Sequence, residues 1–142
     1  MAVFNLVQKK IKNLINLMLI DGVQPKEIAN NIFLDDYESI SYKKFNDVII
    51  GEIMYNELVN SQYVKVILRY YYSMDKKVIR IEEELLGKVN IIWDRDYKQE
   101  HMIREIVELM QKAYTKKQIE AFVSTLPESI RIKIENIRNE IA

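Results

Sequence analysis

The sequence predicts an α+β fold: a helix-dominated single domain over residues 1–142, with a small antiparallel β-hairpin or three-stranded meander at about residues 62–94. Three observations lead there. Apolar residues recur at helical spacing through the first and last thirds of the chain. Residues 62–94 alternate Val64, Val66, Leu68, Tyr70 and Tyr72 with Tyr63, Lys65, Ile67, Arg69 and Tyr71, a β-branched and aromatic mixture that suits a pleated surface. Hydrophobic content of 49% with 30% charged residues is enough to close a core and solvate a surface. The same central segment also fits helices, with Val64, Ile67, Leu68 and Tyr71 as one stripe and Asp75 capping a second. On that alternative the chain is an all-α bundle of short helices.

Taken in order, residues 3–20 read as a helix, because Phe4, Val7, Ile11, Leu14, Ile15 and Met18 fall on one stripe. Asp21-Gly22 ends it, the glycine suiting a left-handed C′ position. Pro25 starts a second short helix over residues 25–33, where its missing N–H leaves no bond unmade. An acidic loop follows, Leu34-Asp35-Asp36-Tyr37-Glu38-Ser39. Ser41 is then a good N-cap for a third helix bearing Phe45, Val48, Ile49, Ile53 and Leu58, broken at Asn60-Ser61.

Beyond the meander, residues 95–112 carry Met102, Ile103, Ile106, Val107 and Met110 on one face. Thr115 with Gln118 and Thr125 with Glu128 are capping-box patterns, the second holding Pro127. A last helix places Ile130, Ile134, Ile137 and Ile141 in a stripe that predicts either core packing or a homodimer through the C-terminal helix.

The residues that are missing narrow the function. The chain has no cysteine, one histidine (His101) and three isolated glycines, so thiol chemistry, cysteine-ligated metals and glycine-rich phosphate loops are excluded. Any nucleophile–histidine relay would have to be built on His101. The 21 basic and 21 acidic residues balance, against the basic surplus usual in nucleic-acid binders. Apolar runs are far shorter than a membrane span, and the opening MAVFNLVQKK reverses the order of a signal peptide, so a cytoplasmic protein with no membrane partner is expected. No cofactor is expected.

Four sets of side chains are candidates for function. Helices followed by a hairpin give an order that resembles a winged helix-turn-helix extended at its C-terminus, residues 1–94 forming the winged part and 95–142 the helical extension. That resemblance implies duplex-DNA contacts from Lys26, from Tyr42, Lys43, Lys44 and Asn46 on the recognition helix, and from Lys76, Lys77 and Arg80 on the wing. A protein-binding reading instead uses the acidic loop, Asp35, Asp36, Tyr37 and Glu38, with the tyrosine run Tyr70, Tyr71 and Tyr72. Glu82, Glu83, Glu84, Asp94 and Asp96, with Lys98 nearby, would serve a divalent-metal nuclease if they converged. His101 and Glu105, one turn apart, would need a further ligand to make a metal site.

The function expected is a small non-enzymatic regulatory or interaction protein of inhibitor or accessory type that binds a protein partner. A winged helix-turn-helix transcriptional regulator is the alternative, and a metal-dependent nuclease ranks third.

Overall fold

A computed structural model describes residues 2–141. The element order is α1 (Ala2–Leu19), α2 (Pro25–Ala29) running into a 3-10 turn (Asn30–Phe33), β1 (Tyr37–Phe45), β2 (Val48–Val59), β3 (Gln62–Tyr72), β4 (Val78–Leu85), β5 (Lys88–Asp94), α3 (Arg95–Ala113), α4 (Lys116–Val123) and α5 (Glu128–Ile141). These form two compact units, one of residues 20–96 and one of the chain on either side of it.

The helix-dominated expectation and the all-α alternative are both overturned. Of the described residues, 49% are helix and 34% strand, and the strands make one five-stranded antiparallel sheet ordered β1-β2-β3-β4-β5. Residues 62–94 do hold β3, β4 and β5, as part of that larger sheet and not as a small appendage. The error lies in residues 37–59, where an acidic loop and a third helix were expected and β1 and β2 stand instead. With no third helix, the winged helix-turn-helix order is not formed, and α1 belongs with the C-terminal helices.

The physical reason is that Phe45, Val48, Ile49 and Ile53 match a helical stripe and a strand pair equally well. The contiguous Val48-Ile49-Ile50 run, β-branched throughout, costs a helix side-chain freedom and suits a strand that packs on both faces. Asn46, in the left-handed region at φ 54°, lets the chain reverse so that Phe45 pairs with Val48. Asn60 and Ser61, at φ 51° and 64°, do the same for Val59 and Gln62. What was expected to break a helix is a hairpin turn.

Cross-strand register sorts the sheet into two faces. One carries Tyr37, Ile40, Tyr42, Ile49, Gly51, Ile53, Tyr55, Leu68, Tyr70, Tyr72, Val78, Ile81 and Trp93. Ile28 of α2 packs on it, making a core with Ile53, Tyr72 and Val78. The Tyr42 ring lies over Gly51, whose missing side chain leaves the space, and its hydroxyl donates to the Pro25 carbonyl at 2.9 Å. The Tyr72 hydroxyl donates to the Val23 carbonyl at 2.7 Å. Arg95, buried, donates to the Val78 and Ile20 carbonyls at 2.7 Å each, and so ties together the places where the chain enters and leaves this unit.

In the helical unit the stripes read from sequence close one core: Val7, Ile11 and Leu14 of α1, Ile103, Ile106, Val107 and Met110 of α3, Ile119 and Val123 of α4, and Ile130, Ile134 and Ile137 of α5. Each fully buried aliphatic side chain contributes roughly 1.5–3 kcal/mol. Of the stripe on the last helix, Ile130, Ile134 and Ile137 lie in this core and Ile141 remains exposed. The Thr115–Gln118 capping box is complete, with bonds of 3.2 and 2.9 Å. Thr125 instead turns its hydroxyl back to the Phe122 carbonyl.

Candidate functional site

The sheet unit has two ends, set by its meander. At one lie the β1–β2 turn (Asn46-Asp47), the β3–β4 loop (residues 73–77) and the end of β5. At the other lie the start of β1, the β2–β3 turn (Asn60-Ser61) and the β4–β5 turn (Leu86-Gly87). The segment of α2 and the 3-10 turn runs between them, from Gly22 against Val78 to Asp36, whose carbonyl accepts from Asn56 N at 2.9 Å.

The residues expected to touch DNA gather at the first end, without the recognition helix that would present them. Lys43 and Lys44 are neighbours in a strand and therefore project from opposite faces. Tyr42 is engaged with Pro25, Asn46 makes the turn, and Lys76 holds a left-handed turn position at φ 68°. Lys77 pairs with Asp21 at 3.2 Å, and Arg80 pairs with Glu82. Lys26 sits on α2, where Glu27 follows it, and Asp47 and Asp75 lie in the same turns as the lysines. Acidic and basic residues alternate along the chain in these turns.

The tyrosine run divides as strand geometry requires. Tyr70 and Tyr72 belong to the core face, and burial raises both phenols above their ordinary 10. Tyr72 is buried in that core and Tyr70 packs partly buried against it. Tyr71 faces outward, half-buried, donating to Glu82 at 2.6 Å with the Arg80 guanidinium 5.5 Å from its ring centre. Burial, then the bond to Glu82, raises its phenol.

That outward face holds an ion-pair ladder. Arg69 reaches Glu52 and Glu84 at 3.0 Å each and Glu82 at 4.0 Å. Glu82, only 7% exposed, also takes Arg80. Two of the expected nuclease carboxylates are thus neutralised by arginines. Glu83 turns to the other face, opposite Leu68, and Asp96 opens α3. Among the described residues no group of three or more His, Cys, Asp or Glu side chains is placed to hold a metal ion. In the helical unit, Glu105 is shared between His101 and Lys10 at 3.0 Å each, an exposed ion pair.

The second end is different in kind. Phe33 is 86% exposed, Leu86 84%, Tyr63 70% and Leu58 60%, and Leu34, Val59 and Val89 are exposed beside them in the chain. All come from the three excursions that meet this end of the sheet. They are held by built turns: Leu34 N donates to Asn31 O at 3.0 Å and Tyr37 N to Leu34 O at 3.1 Å, while Tyr37 stacks on Tyr55 with ring centres 5.3 Å apart. The expected acidic loop is here too. Asp35 and Asp36 are exposed beside Leu34, whereas Glu38 is engaged by Asn56 at 2.8 Å and Lys65 at 3.3 Å, bonds that hold its carboxyl below the ordinary range.

Leu86 carries a further signal. Its backbone lies at φ 52°, a region in which the Cβ of most residues crowds the following carbonyl and that Asn, Asp or Gly normally fill. A leucine there is strained and unpacked at once. Local pattern did not single out Phe33, Leu58 or Leu86 as exposed, and only the register sets Leu58 and Tyr63 beyond the rows that β1 and β4 flank. The usable signal was Leu86-Gly87, a turn dipeptide with an apolar residue at its first position.

No protein family, curated protein or solved structure matches this chain. No helix among the described residues is long and apolar enough to cross a membrane.

Proposed function

We propose that this is a non-enzymatic regulatory or interaction protein that binds a protein partner, and that the contact is the apolar rim at the β2–β3 and β4–β5 end of the sheet. One observation carries the reading: Phe33, Leu58, Tyr63 and Leu86, each at least 60% exposed, share that end. Exposed apolar groupings of this kind mark interaction sites, and aromatic anchors dominate the energetics of such contacts. Asp35 and Asp36 beside Phe33 and Leu34 favour a partner whose apolar pocket is edged by basic residues. A cytoplasmic setting belongs to the same reading and rests on the sequence alone.

Photocrosslinking in expressing cells tests it. Benzophenone side chains placed singly at Phe33, Leu58 and Leu86 are expected to give one shared adduct. The same probe at Phe45, 66% exposed at the opposite end, is expected to give none. No shared adduct, or equal labelling from Phe45, sinks the proposal.

A further inference from the structure

The two outer edges of the sheet are built differently. The β1 edge carries Ser39, Ser41, Lys43 and Lys44 and has a bulge near its start, the devices by which edge strands resist pairing. The β5 edge, which pairs with no further strand among the described residues, carries Val89, Ile91 and Ile92, each about half exposed. Its charged residues, Lys88 and Asp94, stand only at its ends.

The register fixes which backbone groups point outward. Leu85 and Lys88 close the two-residue β4–β5 turn and exchange hydrogen bonds with each other. Lys88 and Asn90 therefore direct their N–H and C=O groups toward β4, and Val89 and Ile91 direct theirs away from the sheet.

We propose that the β5 edge pairs antiparallel with β5 of a second copy of this chain, about a two-fold axis at Asn90, so that two sheets become one. Asn90 then faces Asn90. On either side Val89 faces Ile91, and these are the residues whose main-chain groups point outward, so each pair exchanges hydrogen bonds. Val89 and Ile91 lie on the same sheet face, opposite Glu84 and Glu82, so their side chains meet on one side of the joined sheet. No like charges oppose across the axis: Lys88 of one copy comes opposite Ile92 of the other, two residues short of Asp94. The bulge that leaves Ile92 without a partner on β4 ends the ladder, which is short and self-complementary, as an isologous contact must be.

The absence of cysteine makes the register directly readable. Asn90 would sit at a non-hydrogen-bonded pair, with Cα atoms about 4.5 Å apart, inside the range a disulfide spans. In a glutathione redox buffer, Asn90→Cys is expected to form a linked dimer of twice 17.0 kDa. Lys44→Cys on the other edge is expected to stay monomeric. Val89→Cys and Ile91→Cys should crosslink to each other faster than either does to itself. In sedimentation, the wild type is expected to dimerise with concentration and Ile91→Lys to remain a monomer with unchanged circular dichroism.

A wild type that sediments as a monomer, with Asn90→Cys no faster to crosslink than Lys44→Cys, overturns the proposal. So does a dimer that Ile91→Lys leaves intact. Should Ile91→Lys fail to fold, the cysteine pairs decide alone.

Discussion

Replacing Leu86 by asparagine should make the protein more stable. The backbone there is left-handed, φ 52°, and the side chain is 84% exposed. A residue such as leucine loses roughly 1–2 kcal/mol in that conformation, whereas asparagine adopts it readily. Against the relief stands the apolar burial given up. A fully buried leucine contributes roughly 1.5–3 kcal/mol, and the covered fraction here keeps only about a sixth of that. The net gain is about 0.5–1.7 kcal/mol. Urea unfolding followed through Trp93, the only tryptophan and a member of β5, would read it as a midpoint raised by roughly 0.3–0.9 M at unchanged slope. The same variant should weaken the crosslinks expected at the rim, because stability gained by removing an exposed, strained leucine is given up as function. A midpoint that falls would show that Leu86 packs where the geometry says it is exposed, and the strain argument for the rim would go with it.

Two further outcomes test other parts of the fold. Gly51→Ala would bring a Cβ to 2.6 Å from the Tyr42 ring, forcing that ring off the sheet and away from its bond to Pro25, at a cost of about 1–3 kcal/mol. Pairing it with Tyr42→Ala should recover part of the loss, and strictly additive losses would mean the ring does not lie there. In the helical unit, the bond from Lys10, then its charge and that of His101, hold the Glu105 carboxyl below its ordinary 4.5. Its charge therefore favours folding above that value, and the contribution fades as pH falls through the lowered one. Thermal melts should show wild type above Glu105→Gln near neutral pH, with the gap closing below about pH 4.5. A gap that persists in acid would assign the effect to packing.

The helical unit was almost fully legible. Val7, Ile11 and Leu14, Ile103 to Met110, and Ile130 to Ile137 repeat at the spacing of one helix face, and each lies in the core. A helix closes its hydrogen bonds within a few residues, so its buried side is written locally. The Thr115–Gln118 cap is legible for the same reason.

Residues 37–59 were not legible. Phe45, Val48, Ile49 and Ile53 satisfy two periods at once, and a strand's bonds are made to residues distant in sequence. Only pairing with residues 62–72 could decide between them. The tyrosine run shows the same limit: alternation requires Tyr71 to oppose Tyr70 and Tyr72, but which side is core depends on where α2 places Ile28.

By itself, then, the sequence determined which residue types the chain lacks and the helices with their buried stripes, and it left residues 62–94 open between strand and helix. The tertiary structure alone decided that residues 62–94 are strands of a five-stranded sheet, that the carboxylates of Glu82 and Glu84 are held by arginines, and that Phe33, Leu58, Tyr63 and Leu86 stand exposed in the segments at one end. Cross-strand register and exposure are properties of the pairing between distant segments, and local pattern carries no record of them.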